Sequence, residues 1–253
     1  MLQLQDLTKR YGSVLAVDAV SLEVAAGELL ALVGDSGSGK TTTLKMINRL
    51  VEPSGGRALL EGQDVSSLPP HVLRRRIGYV FQGVGLFPHL TVAENIALPL
   101  RLEGWDRARI GPRVAELLQL VELEEGHGGR FPAALSGGQQ QRVGVARALA
   151  AAPRLVLLDE PFGALDPLTR DRLQQSFQAL RGRLGLTAVM VTHDMAEALL
   201  LADRIGVMRG GRLVQVGQPA ELRRAPADGE VARLLETPRR QARVVEERLG
   251  SAG

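Results

Sequence analysis

Apolar and polar residues follow two patterns along this chain, and together they predict an α/β fold. Between residues 2 and 24, apolar and polar positions alternate, which is typical of a half-buried antiparallel sheet. Continuous apolar runs instead predict strands that are buried on both faces, at residues 29–33, 77–81, 155–158 and 186–191. We therefore expect a parallel sheet beside the antiparallel one.

The segment from about 83 to 150 has few strand signals and is predicted to be helical. Apolar residues with the spacing of one helix face occur at Ile110, Val114, Leu117, Leu118 and Val121. We expect a helical subdomain inserted into the α/β core. It begins with an apolar loop, Val84–His89, for which two interpretations stay open: packing in the core, or a surface for a protein partner.

A glycine-rich turn separates the first buried strand from a predicted helix. Residues 34–41 read GDSGSGKT and fit the phosphate-binding pattern G-x-x-x-x-G-K-[ST]. Glycines let backbone N–H groups surround phosphate oxygens, and the N-terminus of the following helix adds partial positive charge. Lys40 is expected to reach the β- and γ-phosphates, and Thr41 to ligate Mg²⁺.

A surface turn matches such a pattern by chance, but the strand before it and the helix after it favour a nucleoside triphosphate site. The predicted binding residues of this loop are Gly34, Asp35, Ser36, Gly37, Ser38, Gly39, Lys40, Thr41 and Thr42.

Polar side chains follow three of the buried strands. Gln82 follows the strand at 77–81, Asp159 and Glu160 follow the run at 155–158, and His193 follows the strand at 186–191. Ligands bind at the carboxyl edge of parallel sheets. There we expect Asp159 to ligate Mg²⁺ and Glu160 to polarise the attacking water. Gln82 is expected to ligate Mg²⁺ or position water, and His193 to sense the γ-phosphate. A lone glutamine or histidine more often has a structural role, so the shared edge favours catalysis.

A second phosphate contact is predicted at LSGGQ, residues 135–139. Ser136 and Gln139 have the S-x-x-Q spacing of a capping box at a helix start. Between them, Gly137 and Gly138 weaken the first turn by roughly 1 kcal/mol each, which indicates that the backbone approaches another group closely. Free N–H groups at a helix N-terminus bind anions, so we expect this turn to contact phosphate.

Two further candidates lie outside these motifs. Tyr11 lies at a turn after the first strand, where it either stacks on adenine or packs against its neighbours. Asp166 precedes Pro167 and is predicted to cap the next helix.

Composition narrows the class of protein. The chain has 253 residues, 45% of them hydrophobic, with a formal net charge of +3 and only 3% aromatic residues. No basic run is interleaved with aromatics, which argues against nucleic acid as a partner. There is no cysteine, so disulfides and thiolate metal sites are excluded. With neither an export signal nor an apolar run of about 18 residues, we expect a soluble protein of the cytoplasm.

The motifs together resemble those of one family. In order they are GDSGSGKT at 34–41, Gln82, LSGGQ at 135–139, LVLLDE at 155–160, ALD at 164–166 and His193. Over about residues 1–220 the chain resembles the nucleotide-binding subunit of an ATP-binding-cassette (ABC) transporter. This resemblance implies a P-loop NTPase ABC ATPase fold, with a RecA-like core, an antiparallel β subdomain and an inserted helical subdomain. We expect an ABC ATPase domain at 1–236 and a short helical tail at 237–253.

The resemblance also implies functional roles. Tyr11 resembles the aromatic residue that stacks on adenine, and Gln82 the loop that couples to the membrane subunit. Glu160 matches the catalytic base and His193 the switch histidine, while Asp166 matches the loop that crosses the dimer interface. The implied ligands are ATP and Mg²⁺.

The implied partners are a second copy of the chain, integral membrane permease subunits and a substrate-binding protein that acts through the permease. In the implied homodimer, Ser136–Gln139 of one copy covers the ATP on Lys40 of the other. The implied location is peripheral, on the cytoplasmic face of the inner (plasma) membrane.

The cargo is indicated only by longer stretches of sequence. Residues 77–90 and 102–110, with TTTLKMINRL at 41–50 and EPFGALDPLTR at 160–170, resemble importers of osmoprotectants such as glycine betaine, choline and carnitine. Import of polar amino acids, sulfonates or nitrate is the alternative. A soluble ABC ATPase of DNA repair or translation is a second alternative, but the short helical insert and the single cassette argue against it. We expect no regulation through the C-terminal domain that some relatives carry.

Overall fold

Two β-sheets form the frame of the protein, as seen in a computed structural model that describes residues 1–83 and 85–250. The strands are β1 (Leu2–Tyr11), β2 (Val14–Val24), β3 (Leu29–Val33), β4 (Gly55–Leu60), β5 (Gln63–Asp64), β6 (Ile77–Val80), β7 (Leu155–Asp159), β8 (Thr187–Val191), β9 (Arg204–Arg209) and β10 (Arg212–Gly217). The helices are α1 (Lys40–Ile47), α2 (Pro70–Arg75), α3 (Val92–Leu102), α4 (Arg107–Leu120), α5 (Gly137–Leu149), α6 (Pro167–Leu184), α7 (Met195–Leu201), α8 (Pro219–Arg224) and α9 (Gly229–Leu249).

The smaller sheet is antiparallel, with strand order β2–β1–β4–β5. Leu2 pairs with Val24 on one side and with Leu60 on the other, and all three are buried. The alternation predicted for residues 2–24 is therefore confirmed. One face of this sheet packs in a hydrophobic cluster that also contains Leu44 of α1.

The larger sheet has the order β10–β9–β3–β8–β7–β6 and is parallel except for its edge strand β10. Both of its faces are buried. In β3, Leu29, Ala31 and Val33 belong to one hydrophobic cluster, while Leu30 and Leu32 belong to the other. This double burial explains why the central strands read as continuous apolar runs.

Helices α3, α4 and α5 lie in the segment predicted to be helical. Val114, Leu117 and Leu118 of α4 are buried, as the spacing predicts. Helix α5 packs both on α3 and on strand β6, so it joins the helical segment to the larger sheet. The subdomain limits at about 83–150 stay a prediction.

Two helices differ from the sequence pattern at their ends. Helix α1 ends at Ile47 rather than continuing to Leu50, because Arg49 adopts a left-handed backbone with φ of 55° and Leu50 N–H donates back to Lys45 O at 2.9 Å. Helix α9 continues from Gly229 to Leu249 across residue 236, the predicted end of the ATPase domain. The boundary between domain and tail stays a prediction.

Across residues 1–83 and 85–250, no helix combines the length and the apolar composition that a bilayer crossing requires.

Candidate functional site

The phosphate loop between β3 and α1 is built on glycines that no other residue replaces without strain. Gly34, Gly37 and Gly39 have φ of 146°, 79° and 99°. A Cβ on Gly34 would lie 2.1 Å from the carbonyl oxygen of Met208 in β9, and a Cβ on Gly39 would lie 2.6 Å from that of Ala16. The loop is thus held between strands β9 and β2, which keeps its backbone in one shape.

Lys40 folds back into this loop. Its Nζ donates to Gly34 O at 2.7 Å, to Asp35 O at 2.8 Å and to Ser38 Oγ at 3.3 Å. Burial lowers the pKa of Lys40, and the charges of Glu160, Asp35 and Asp159 oppose this shift. The ammonium group is therefore held against carbonyl oxygens of a glycine-rich loop, and loops of this kind bind anionic oxygens through their backbone N–H groups.

Helix α1 begins without help from a side chain. Its N-cap is Gly39, and no side chain within the described ranges caps its first turn. The first N–H groups of a helix have no intrahelical partner. At α1 they are free to bind an anion, and the helix dipole adds to their effect.

The hydroxyl of Thr41 and the carboxylate of Asp159 meet at the end of strand β7. Thr41 Oγ1 donates to Asp159 Oδ1 at 2.8 Å, although the residues are 118 positions apart in the chain. Asp159 is 1% exposed. Burial raises the pKa of Asp159, while the Thr41 hydrogen bond and the charges of Lys45 and Lys40 act in the opposite sense. Two side-chain oxygens of the kind that ligate Mg²⁺ are therefore held together, on the buried Asp159 and the partly buried Thr41.

Glu160 and His193 also meet at this edge. Glu160 has a left-handed backbone, with φ of 49°, and its N–H donates to Val191 O at 2.9 Å. This turn directs its carboxylate toward His193, whose Nδ1 lies 3.3 Å from Glu160 Oε1. The Glu160 side chain is 25% exposed, so water has access to a carboxylate that is already held in place.

Gln82 belongs to the same edge by strand register. Val80 of β6 pairs in parallel with Leu158 of β7, so Gln82 follows β6 at the level where Glu160 follows β7. The residue is exposed, on the loop after β6. The backbone therefore brings Gln82 to the edge that the sequence predicts, without fixing where its amide points.

The signature turn, residues 136–139, lies apart from the phosphate loop. Ser136 N–H donates to Gln139 Oε1 at 2.9 Å and Gln139 N–H donates to Ser136 Oγ at 3.2 Å, which confirms the capping box. Asp166 caps α6 by accepting from Thr169 N–H at 3.0 Å, as predicted. Within the described ranges, no hydrogen bond or ion pair joins these residues to the phosphate loop.

Tyr11 is also separate from the loop by contact. It ends strand β1 with 49% of its surface exposed, and its ring lies 4.9 Å from Lys9 Nζ. An exposed ring at this position is free to stack on a flat ligand. A single copy of the chain therefore brings Lys40, Thr41, Asp159, Glu160 and His193 together. In residues 1–83 and 85–250, no hydrogen bond or ion pair joins Tyr11, Asp166 or the signature turn to this group.

Two residues that bury a polar atom near these sites, Tyr79 and His127, were not found from the sequence. The Tyr79 hydroxyl faces Asp159 but makes no hydrogen bond within the described residues; burial, followed by the Asp159 charge, raises its pKa. The sequence pattern could have indicated that Tyr79 faces Asp159. Tyr79 pairs with Leu157, and Asp159, two residues later in the strand, has its side chain on the same face of the sheet. The second residue, His127, contacts Gln139, and no motif or spacing pointed to it.

A groove of about 600 Å³ opens between β6, α3 and α5, away from the phosphate loop. Phe81, Phe87 and Leu102 give it an apolar lining, and Arg74 and Arg147 add positive charge. Leu86 of the apolar loop packs against the core, as one of the two interpretations expects. Phe87 is 43% exposed in this groove, and the second interpretation, a surface for a protein partner, stays a prediction. Val84, which begins that loop, lies outside the described residues.

Comparison with known proteins gives the following matches. The sequence profile of the ABC transporter family matches residues 17–163. The glycine betaine/carnitine/choline transport ATP-binding protein OpuCA of Bacillus subtilis (strain 168) is 52% identical over 229 residues, which are 90% of this chain and 60% of that protein. The glycine betaine uptake system ATP-binding protein YehX of Escherichia coli (strain K12) is 50% identical over 228 residues, 90% of this chain and 74% of that protein. This chain thus spans 60% of the length of the B. subtilis relative.

Among solved structures, the dimeric post-hydrolysis state of the ATP-binding cassette MJ0796 bound to ADP and Pi matches with a TM-score of 0.81 and 36% identity. The match covers 86% of this chain and 98% of that one.

Proposed function

The chain belongs to the ABC transporter family, and on that premise we propose that it is the ATP-hydrolysing, nucleotide-binding subunit of a membrane importer. The family and the fold class predicted from the motifs are both confirmed by these matches. The proposed cargo is an osmoprotectant of the glycine betaine, choline and carnitine class.

One observation carries the proposal of ATP hydrolysis: phosphate-binding, metal-ligating and water-activating groups meet at one sheet edge. Lys40 is held in a glycine loop, Thr41 lies 2.8 Å from Asp159, and Glu160 lies 3.3 Å from His193. Such convergence at the carboxyl ends of parallel strands is typical of nucleotide sites. This combination of groups supports hydrolysis more strongly than any one of these residues would alone.

The proposed mechanism assigns each step to a residue of this chain. The loop N–H groups and Lys40 bind the β- and γ-phosphates and balance the charge that develops there. Glu160 accepts a proton from the attacking water, which its partial exposure allows to enter. His193 holds the Glu160 carboxylate in place through the 3.3 Å contact, and its proposed role is to sense the γ-phosphate.

The residues present fit Mg²⁺. This ion prefers oxygen ligands and is bound by one or two carboxylates together with substrate phosphates and water. The Thr41 hydroxyl and the buried Asp159 carboxylate supply such oxygens, and Gln82 is a further candidate at the same edge. When bound, Mg²⁺ would neutralise phosphate charge during transfer of the terminal phosphoryl group.

A homodimer is proposed because one copy leaves the signature turn separate from its phosphate loop. In the proposed sandwich, Ser136–Gln139 of one copy contacts ATP held by Lys40 of the other, with Asp166 at the interface and Tyr11 against adenine. The cassette MJ0796, which shares 36% identity, is described as dimeric. ATP would close this dimer and hydrolysis would open it.

The groove is the proposed docking site for the permease, which would hold the chain at the cytoplasmic face of the membrane. Phe87 offers an exposed ring there, and Arg147 lies with its guanidinium 5.9 Å from that ring. A substrate-binding protein would act through the permease rather than on this chain. The names of OpuCA and YehX support osmoprotectants as the cargo.

Light scattering of the Glu160→Gln variant tests the ATP sandwich. With ATP and Mg²⁺ this variant should dimerise, because it binds nucleotide but hydrolyses it at least about 10²-fold more slowly. The double variant Lys40→Met/Glu160→Gln is the matched control and should stay monomeric. A Glu160→Gln variant that stays monomeric at saturating ATP would contradict the sandwich.

Reconstitution with the permease tests transport and cargo. ATP hydrolysis should rise when the binding protein is loaded with glycine betaine, and it should not rise with a polar amino acid. Phe87→Ala should remove this stimulation while the isolated subunit still hydrolyses ATP. An equal response to all ligands would overturn the osmoprotectant assignment, and no hydrolysis in any condition would overturn the ATPase.

A further inference from the structure

His127 lies directly behind the signature turn. It ends a short 3₁₀ turn, Glu125–His127, and is 8% exposed. Its Nε2 lies 3.3 Å from Gln139 Nε2. Its Nδ1 is buried and has no hydrogen-bond partner in the described part of the chain. A buried imidazole is therefore in contact with one residue of the proposed ATP-binding turn.

The capping box fixes which ring nitrogen carries the proton. Gln139 Oε1 accepts from Ser136 N–H at 2.9 Å, so the amide oxygen faces Ser136 and the NH₂ group faces His127. A side-chain NH₂ group only donates hydrogen bonds. His127 Nε2 must then be the acceptor, and the neutral ring carries its hydrogen on Nδ1.

We propose that His127 is a positioning residue for the signature turn: it holds the Gln139 side chain in the orientation that the ATP-bound dimer requires. This inference rests on the proposed function, in which Ser136–Gln139 covers the nucleotide of the other copy. It assigns no direct contact between His127 and ATP.

The physical reason lies in how the first turn of α5 uses its N–H groups. The capping box occupies the N–H groups of Ser136 and Gln139. The N–H groups of Gly137 and Gly138 have no intrahelical partner by helix geometry, so they remain available for phosphate. When Gln139 is held by His127, this division exists before ATP arrives. Without His127, the hydrogen bond from Ser136 N–H holds the Gln139 side chain alone, and the remaining freedom of that side chain is lost when the dimer forms.

The expected effect on association follows from that ordering. Immobilising one flexible side chain opposes binding by about 0.5–1.5 kcal/mol, and a sandwich dimer contains two signature turns. Removing the His127 acceptor should therefore weaken ATP-dependent dimerisation by about fivefold to 150-fold. The affinity of the monomer for ATP should not change, because His127 contacts Gln139 of the signature turn, which is separate from the phosphate loop in one copy.

The first experiment reads the tautomer directly. The chain has four histidines, so ¹⁵N NMR resolves each imidazole, and the signals lost in His127→Gln identify those of His127. At a pH where the ring is neutral, we expect a protonated Nδ1 and an unprotonated Nε2. A protonated Nε2 would overturn the proposed contact, whatever the function of the chain.

The second experiment measures dimerisation in the Glu160→Gln background. His127→Leu removes the acceptor and should weaken the ATP-dependent dimer, while His127→Gln keeps an acceptor oxygen and should restore most of the affinity. The control is His71→Leu, which changes an exposed histidine in the same way. Thermal unfolding and ATP binding by the monomer report whether each variant is folded. If His127→Leu does not fold, the proposal is decided by the tautomer measurement and by the dimer affinity of His127→Gln compared with that of the parent.

The outcomes distinguish a failure of the proposed function from a failure of the role of His127. A parent that does not dimerise with ATP overturns the proposed function. A parent that dimerises, with a folded His127→Leu variant that dimerises equally well, overturns only the role of His127. Weakening by His127→Leu with rescue by His127→Gln supports it.

Discussion

Replacing Gly34 with alanine tests whether the phosphate loop is held in shape by strand β9. The added Cβ would lie 2.1 Å from Met208 O, whereas ordinary contact begins at 3.4 Å. Either the loop or the β9 backbone must therefore move by more than 1 Å. In addition, φ of 146° is a backbone conformation that residues other than glycine rarely adopt.

The magnitude combines two contributions. Backbone strain at such a φ costs about 1–3 kcal/mol, and overpacking against neighbouring atoms costs about 1–3 kcal/mol more. We expect Gly34→Ala to lower the free energy of unfolding by about 4 kcal/mol. For a protein of this size this corresponds to a fall in Tm of about 8–16 °C.

Gly37→Ala is the matched control in the same loop. Gly37 also has a positive φ, 79°, but nothing lies within 4 Å of the position that an added methyl group would take, so only the strain of about 1–2 kcal/mol applies. Calorimetry of the apo protein should place Gly37→Ala between the wild type and Gly34→Ala. Equal Tm values for the two variants would refute the argument, because the contact with Met208 would then have no energetic effect.

Three other substitutions test separate parts of the structure. Lys40→Met should abolish ATP binding; because burial lowers the pKa of Lys40, its buried charge opposes folding below that lowered pKa and ceases to do so as pH rises toward 10.5. Urea unfolding should thus show the wild type gaining stability relative to Lys40→Met over this alkaline range, and parallel pH profiles would contradict it. Ser136→Ala should lower stability by about 1 kcal/mol through loss of the helix cap, with Ser136→Thr close to wild type; an unchanged Tm in Ser136→Ala would contradict the cap. Phe162→Ala should cost about 3–5 kcal/mol in urea unfolding, since its ring is 1% exposed and packs edge-on to Phe177 at 6.3 Å; a cost below about 1 kcal/mol would show that the site refills.

Much of the fold was predictable because periodicity records which faces of a strand or helix are buried. The alternation in residues 2–24 and the apolar run at 29–33 correspond to β1, β2 and β3. The end of α1 was not predictable from this pattern, since it depends on the left-handed backbone of Arg49. The solved cassette with a TM-score of 0.81 confirms the predicted fold class.

The sequence by itself determined the local chemistry of the site. Glycines before Lys40 and polar residues after apolar runs follow from residue type and spacing alone, because a turn and an apolar run are each encoded by neighbouring residues.

Only the tertiary structure decided which of these groups meet. Strand order brings Thr41 to Asp159 and Glu160 to His193, and it leaves the signature turn in contact with His127 instead of the phosphate loop. Such contacts join residues far apart in the chain, and no periodic pattern records them, because they depend on how the sheets and helices pack together.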